Sequence, residues 1–251
     1  MYRKISYLGS VIVLASIVIC MILFTDCSYT ATKKVKEKIT PRAYIKEDQS
    51  TAVYIDGNSK PILRIEDLPK EFPPHIHHPE GARFPDTRFN LASLSPDGKK
   101  IVFSCGLVHN WVGLFGLKSK KIDVISWLFD SDIDQILWSP NSRHFAYTFV
   151  APSGEFVVET VSLRQKTQEP YISNWWGAIK DGGFRWDENI NIYDFQWSED
   201  GESIQFTAQK SEIKDNKEVR MESEPEKIIT LRAIKEETVK ETPKKEKVKK
   251  P

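Results

Sequence analysis

A twelve-residue phrase occurs three times in this chain: Leu94-Ser-Pro-Asp-Gly-Lys-Lys-Ile-Val-Phe-Ser-Cys105, Trp138-Ser-Pro-Asn-Ser-Arg-His-Phe-Ala-Tyr-Thr-Phe149 and Trp197-Ser-Glu-Asp-Gly-Glu-Ser-Ile-Gln-Phe-Thr-Ala208. Each copy has an apolar residue that closes one strand, a turn, and a second strand. In that second strand the large residues alternate: Ile101 and Phe103, Phe145 and Tyr147, Ile204 and Phe206. A period of two is the mark of a strand, and two strands about a short turn make a hairpin. The turn has its own chemistry. A Ser side chain caps the backbone at the start, Pro presets φ, Asp or Asn accepts the bridge region, and Gly supplies the positive φ that returns the chain in register. The second copy has Ser142 in place of that Gly, and the third has Glu199 in place of Pro.

The copies are about 44 residues apart from Ser95 to Ser139 and about 59 from Ser139 to Ser198. That is the length of one four-stranded propeller blade, with a loop insertion in the second interval. In the first repeat, Trp111–Phe115 and Ile122–Trp127 are expected as the third and fourth strands, separated by a Lys118–Lys121 turn. In the second repeat all four strands are expected, at Ile136–Trp138, Phe145–Phe149, Glu155–Val161 and Glu169–Ile172. The third repeat opens at Asn191–Trp197, with Glu218–Met221 expected as its third strand and Lys227–Leu231 as its fourth. Thr51–Ile65 contains a further hairpin without the phrase: either a degenerate blade or a strand pair that closes the ring or covers an open edge.

The phrase resembles the signature of the TolB-like, or PD40, subgroup of WD40-like β-propeller repeats, with Ser95–Ser104, Ser139–Thr148 and Ser198–Thr207 carrying the likeness. The resemblance implies an all-β, β-propeller-like array of four-stranded antiparallel blades, with three recognisable repeats and Thr51–Ile65 as the candidate for a degenerate fourth. It also implies an extracytoplasmic bacterial protein that binds other proteins, or a propeller attached to a serine peptidase. A scaffold does not by itself determine function.

The domain limits read from the sequence are 1–27 for a signal peptide or membrane anchor, 28–49 for a polar linker, 50–232 for the propeller domain and 233–251 for a charged, solvated tail. Arg3 and Lys4 precede an uncharged apolar run, Leu8–Phe24, that ends at Asp26-Cys27. Three outcomes stay open: lipidation at Cys27, ordinary cleavage, or an uncleaved span of about 17 residues. All three place the body outside the cytoplasm, in the periplasm or on the cell surface. Lys33, Lys34, Lys36 and Lys38 blunt the charge asymmetry that would orient it. Of the three cysteines, Cys20 lies in the apolar run, Cys27 ends it, and Cys105 reads as a small core residue.

With a net charge of +1, nothing argues for nucleic acid as a partner. His75, His77, His78 and Glu80 offer donors of the type zinc takes, but nothing nearby orients them, and a surface loop without a metal is expected. Asp130-Ser-Asp-Ile-Asp134 has the spacing of a calcium loop but lacks its Gly and its final Glu, which leaves solvated turn acids. No cofactor is expected.

The insertion Ser173–Ile192 carries Trp175, Trp176, Arg185 and Trp186 beside glycines. These four are the candidate contact residues for a protein partner, because Trp presents a large area with few rotors. The opposite reading has the same rings folding back over the propeller. The chain has no Gly-x-Ser-x-Gly elbow, phosphate loop or His-Glu-x-x-His motif. The expectation is therefore a membrane-anchored scaffold that binds an envelope protein and is not an enzyme. The alternative is a propeller enzyme acting on envelope glycan or peptide with acids from different blades. Exposed blade edges also make a homo-oligomer one of the expected arrangements.

Overall fold

The computed structural model describes residues 41–71, 73, 74, 76, 88–185, 188–215, 217–224 and 226–233. The N-terminal segment with Cys27, the histidines His75, His77 and His78, Trp186 and the C-terminal tail lie outside these residues. No described helix is long and apolar enough to cross a membrane.

The fold is an all-β, propeller-like array of antiparallel sheets. Sheet A contains β1 (Ala43–Lys46), β2 (Gln49–Ile55) and β3 (Leu63–Arg64) in that order. Sheet B is β4 (Phe89–Leu94), β5 (Lys100–Gly106), β6 (Asn110–Gly116) and β7 (Ile122–Leu128). Sheet C is β8 (Asp132–Trp138), β9 (His144–Val150), β10 (Phe156–Leu163) and β11 (Pro170–Gly177). A short helix, α1 (Ala178–Gly182), then leads to sheet D, formed by β12 (Ile190–Trp197), β13 (Ser203–Lys214), β14 (Lys217–Arg220) and β15 (Lys227–Arg232).

The alternation within each phrase determines how the sheets stack. Ile101, Phe103 and Cys105 of β5 pack against Val53 and Leu63 of sheet A. Phe145, Tyr147 and Phe149 of β9 pack against Val102, Val112 and Leu114 of sheet B, and Phe206 and Ala208 of β13 against Val158 and Trp176 of sheet C. In every repeat the large residues of the second strand point to the preceding sheet, while in the first two repeats the smaller ones between them face the next; in β13 the intervening Gln205 is exposed. Both faces of β5 and β9 are therefore buried, as in any sheet covered on two sides. At the A–B junction Phe89, Phe103 and Trp111 meet edge to face, with ring centroids 5.4 and 5.1 Å apart. Gly113, directly across from Phe103, makes room for them, since a Cβ there would lie 2.4 Å from the Phe103 ring.

Three expectations are corrected. Sheet A begins at Ala43, inside the stretch read as a polar linker. Ala43 and Ile45 join the A–B core, and Tyr44 on the opposite face stacks on Tyr54 at 5.7 Å. The fourth strand of sheet C runs on to Gly177 instead of ending at Ile172, so Trp175 and Trp176 sit on a strand and not on a loop. In the third repeat β15 is not a fourth strand. β13 is twelve residues long; its first half pairs with β15 and its second half with β14, so the two share the third place end to end. Arg220 of β14 ties this arrangement to β12 through Asp194 at 2.9 Å and to Glu226 at 2.5 Å.

Candidate binding surface

Antiparallel order gives the array two ends. The three phrase turns share one of them and have the same internal geometry. Ser95, Ser139 and Ser198 each donate their hydroxyl to the side chain two residues on, Asp97, Asn141 or Asp200. Each also accepts the backbone N–H five residues on, from Lys100, His144 and Ser203, at 3.0 Å in every case. Gly98, Ser142 and Gly201 all have positive φ, between 58° and 72°. Ser142 keeps the left-handed conformation without being Gly, and its Oγ accepts the N–H of Asp97 in the neighbouring turn. Asn141 reaches the other way, to the Asp200 carbonyl at 2.8 Å. Burial pushes the Asp97 carboxyl up, but the bonds from Ser95 and Lys99 outweigh it and hold its pKa below the ordinary value. This end is occupied with its own hydrogen bonds. A cleft beside it, lined by Arg143, Leu163, Gln165 and Gln168, has a volume of about 240 Å³, below the ~300 Å³ at which ligand pockets begin.

The opposite end carries the β5–β6 tip (107–109), the β7–β8 connection (129–131) and the segment from α1 to β12. Here apolar side chains face solvent: Leu107 is 54%, Val108 56% and Phe129 52% exposed. The sequence reading missed these three, although one signal was present, since Leu-Val occupies a hairpin tip where Gly, Asn, Asp or Ser is usual. The two loops are joined by His109. Its ring stacks on Phe129 with centroids 4.7 Å apart, and its Nδ1 accepts the N–H of Asp130 at 3.1 Å. Gly106, at φ 136°, permits the tight tip, because a Cβ there would fall 2.0 Å from the His109 carbonyl oxygen.

Beneath the tip is a buried polar base. The Asn110 amide donates to the Ser131 carbonyl at 2.7 Å and accepts from Asn90 at 2.6 Å, and Asn90 also donates to the Gly106 carbonyl at 3.0 Å. Each loop is thus fastened to a strand, so the apolar tips are presented in a set conformation. Asp130, Asp132 and Asp134 follow, all exposed.

The sequence-predicted contact residues divide. Trp175 stands opposite Glu159 and is 39% exposed. Trp176, one residue on, points to the other face of the strand and is 5% exposed, packed edge to face on Phe206 at 4.9 Å. Trp176 is therefore an interior residue of the C–D junction and does not present a contact surface. Arg185 is exposed beyond α1, its backbone N–H donating to Glu188 at 3.0 Å.

A further pair, not foreseen, lies between sheets B and C. Tyr147 and Glu159 are cross-strand neighbours, and the phenol donates to the carboxyl. Burial pushes the Glu159 pKa up against the opposing effect of that bond, and pushes the Tyr147 phenol well above its ordinary range.

No family model matches the chain, and no curated protein matches it. Solved structures do. The chain is similar to the β-propeller domain of the trilobed protease from Pyrococcus furiosus, at 14% identity over 53% of this chain and 43% of that one, with a TM-score of 0.36. It is also similar to the tricorn protease, at 12% identity over 51% of this chain and 12% of that one, TM-score 0.36. A prolyl endopeptidase matches at 11% identity over 61% of this chain and 24% of that one, TM-score 0.36. The chain thus spans less than half the length of each of these. Likenesses of this degree carry no argument about activity.

Proposed function

We propose that this chain is a binding module: an extracytoplasmic, TolB-like scaffold, held at the membrane by its N-terminal segment, that docks an envelope protein. The observation that carries this reading is the trio Leu107, Val108 and Phe129, exposed on adjoining loops and fastened from below by Asn90, Asn110 and His109. Exposed apolar groups on a rigid base suit protein recognition, because burial on contact gains area while little conformational freedom is lost. Trp175 and Arg185, at the same end, supply the residue types enriched in such contacts. The repeated phrase and the apolar N-terminal run support the envelope setting.

The test is crosslinking of the full chain in its native membrane fraction, followed by mass spectrometry that also records the N-terminal peptide. A stoichiometric partner captured by the wild type and lost in a folded Phe129→Asp variant is the expected result. Equal capture by both would place the contact elsewhere, and an N-terminal peptide from a soluble fraction would remove the membrane setting.

A further inference from the structure

Sheets B and C are each four strands deep, whereas in sheet D the third place is shared by β15 and β14. Among the described residues β15 pairs with β13 alone. No described strand pairs with its far side, and Lys227, Ile228, Thr230 and Arg232 are exposed, Ile228 at 60%.

The ladder shows which backbone groups face this edge. The N–H of Ala233 donates to the Glu202 carbonyl at 2.9 Å, one pair beyond Ser203 and Arg232 in the β13–β15 register. Bonded and non-bonded pairs alternate in an antiparallel ladder. Lys227, Ile229 and Leu231 therefore bond to β13, and Ile228, Thr230 and Arg232 turn their N–H and C=O groups outward. The Arg232 carbonyl accordingly meets the Asn174 side chain of sheet C at 3.5 Å. The outward groups left for another strand include both those of Ile228 and both those of Thr230.

We propose that this edge pairs with the same edge of a second copy of the chain, antiparallel, about a two-fold axis passing between the two Ile229 residues. Ile228 then lies opposite Thr230 of the second copy, and the reverse, so that two pairs exchange four backbone hydrogen bonds. Lys227 faces Leu231 of the second copy, and Glu226 faces its Arg232, so unlike charges meet and like charges do not. A shift of one residue sets the outward groups of one copy against groups the other has turned inward. Centring the pair on Thr230 instead draws on the Arg232 carbonyl, already engaged by Asn174. An isologous contact of this kind closes on itself and supplies sheet D with the strand position that β7 and β11 fill in their sheets.

The test uses the full chain in mild detergent. Sedimentation velocity should show a dimer for the wild type. Thr230→Pro should reduce dimer affinity by roughly tenfold or more with an unchanged far-ultraviolet spectrum, because the outward N–H that proline removes makes no bond to β13 and an edge strand tolerates it. Under mild oxidation Ile229→Cys should crosslink well above the wild-type level and above Thr230→Cys, since only residue 229 meets itself in a non-bonded pair with Cα atoms ~4.5 Å apart. A monomeric wild type, a dimer unaffected by Thr230→Pro, or stronger crosslinking through position 230 would each overturn the proposal.

Discussion

The indole N–H of Trp197 donates to the backbone carbonyl of Leu137 at 3.0 Å. One repeat earlier Trp138 makes the same bond to Ser93, also at 3.0 Å. Leu137 and Ser93 each immediately precede the residue that closes the first strand of their own repeat. Both junctions between repeats are thus clipped by one bond at the same position. In the first copy that position holds Leu94, whose side chain has no N–H to offer, and the A–B junction is packed from apolar residues.

Trp138→Phe keeps most of the ring against Phe145 and deletes the clip. The expected loss is about 1–2 kcal/mol, for one hydrogen bond and a carbonyl left poorly solvated, read from the midpoint of urea denaturation. An unchanged midpoint would mean that the indole bond contributes nothing to the B–C junction.

The phrase turns predict an order of severity. Ser139 is fully buried and its Oγ accepts the N–H of His144, so Ser139→Ala strands a buried donor and should cost ~1–3 kcal/mol. Ser198 makes the equivalent bond to Ser203 in a more open turn, where water can replace the hydroxyl. Ser198→Ala should therefore cost less, and equal losses at the two sites would show that burial of the turn is not what makes the serine matter.

Glu159 predicts a pH dependence. Its carboxyl ionises in the unfolded chain near the ordinary ~4.3, but in the fold burial raises its pKa. Between these values the folded state holds the extra proton, so stability falls as pH rises through the window, and the penalty is absent below the ordinary pKa. Glu159→Gln still accepts the Tyr147 hydroxyl and cannot ionise. It should equal the wild type in stability in acid near the lower limit and exceed it in alkali above the window, measured by denaturation across that range. A variant less stable than the wild type in alkali would show that the carboxylate is well satisfied as an ion.

The adjacent tryptophans should behave in opposite ways. Trp176→Ala empties the site against Phe206 and is expected to cost ~3–5 kcal/mol. Trp175→Ala, at a partly exposed ring, should leave folding nearly intact and weaken partner capture. Thermal melts of both, beside the crosslinking assay, separate the two roles. Comparable melting losses would place both rings in the core.

Much of this fold is legible in the residues themselves. The phrase turns behave as their chemistry predicts, down to the positive φ that Ser142 retains without being Gly, because a turn is governed by neighbours within five residues. The alternation of Ile101 and Phe103, or Phe145 and Tyr147, is likewise local. The candidate surface was less legible. Trp175 and Trp176 have the same side chain in the same stretch, and only the face on which sheet D lies separates them. Leu107 and Phe129 are ordinary apolar residues until the β5–β6 tip and the β7–β8 connection are brought side by side.

The sequence alone therefore determined the three phrase hairpins, their turns and the period that sorts side chains onto two faces, since all of these follow from interactions between residues close along the chain, whereas the β1–β2 hairpin, built from Ala43–Lys46 in a polar stretch, was not legible there. Tertiary structure decided which face is covered, which tips stay bare, and how β13 divides its edge between β14 and β15. Those outcomes depend on pairing between strands many residues apart. A period of two says that neighbours face opposite ways without saying which way is inward.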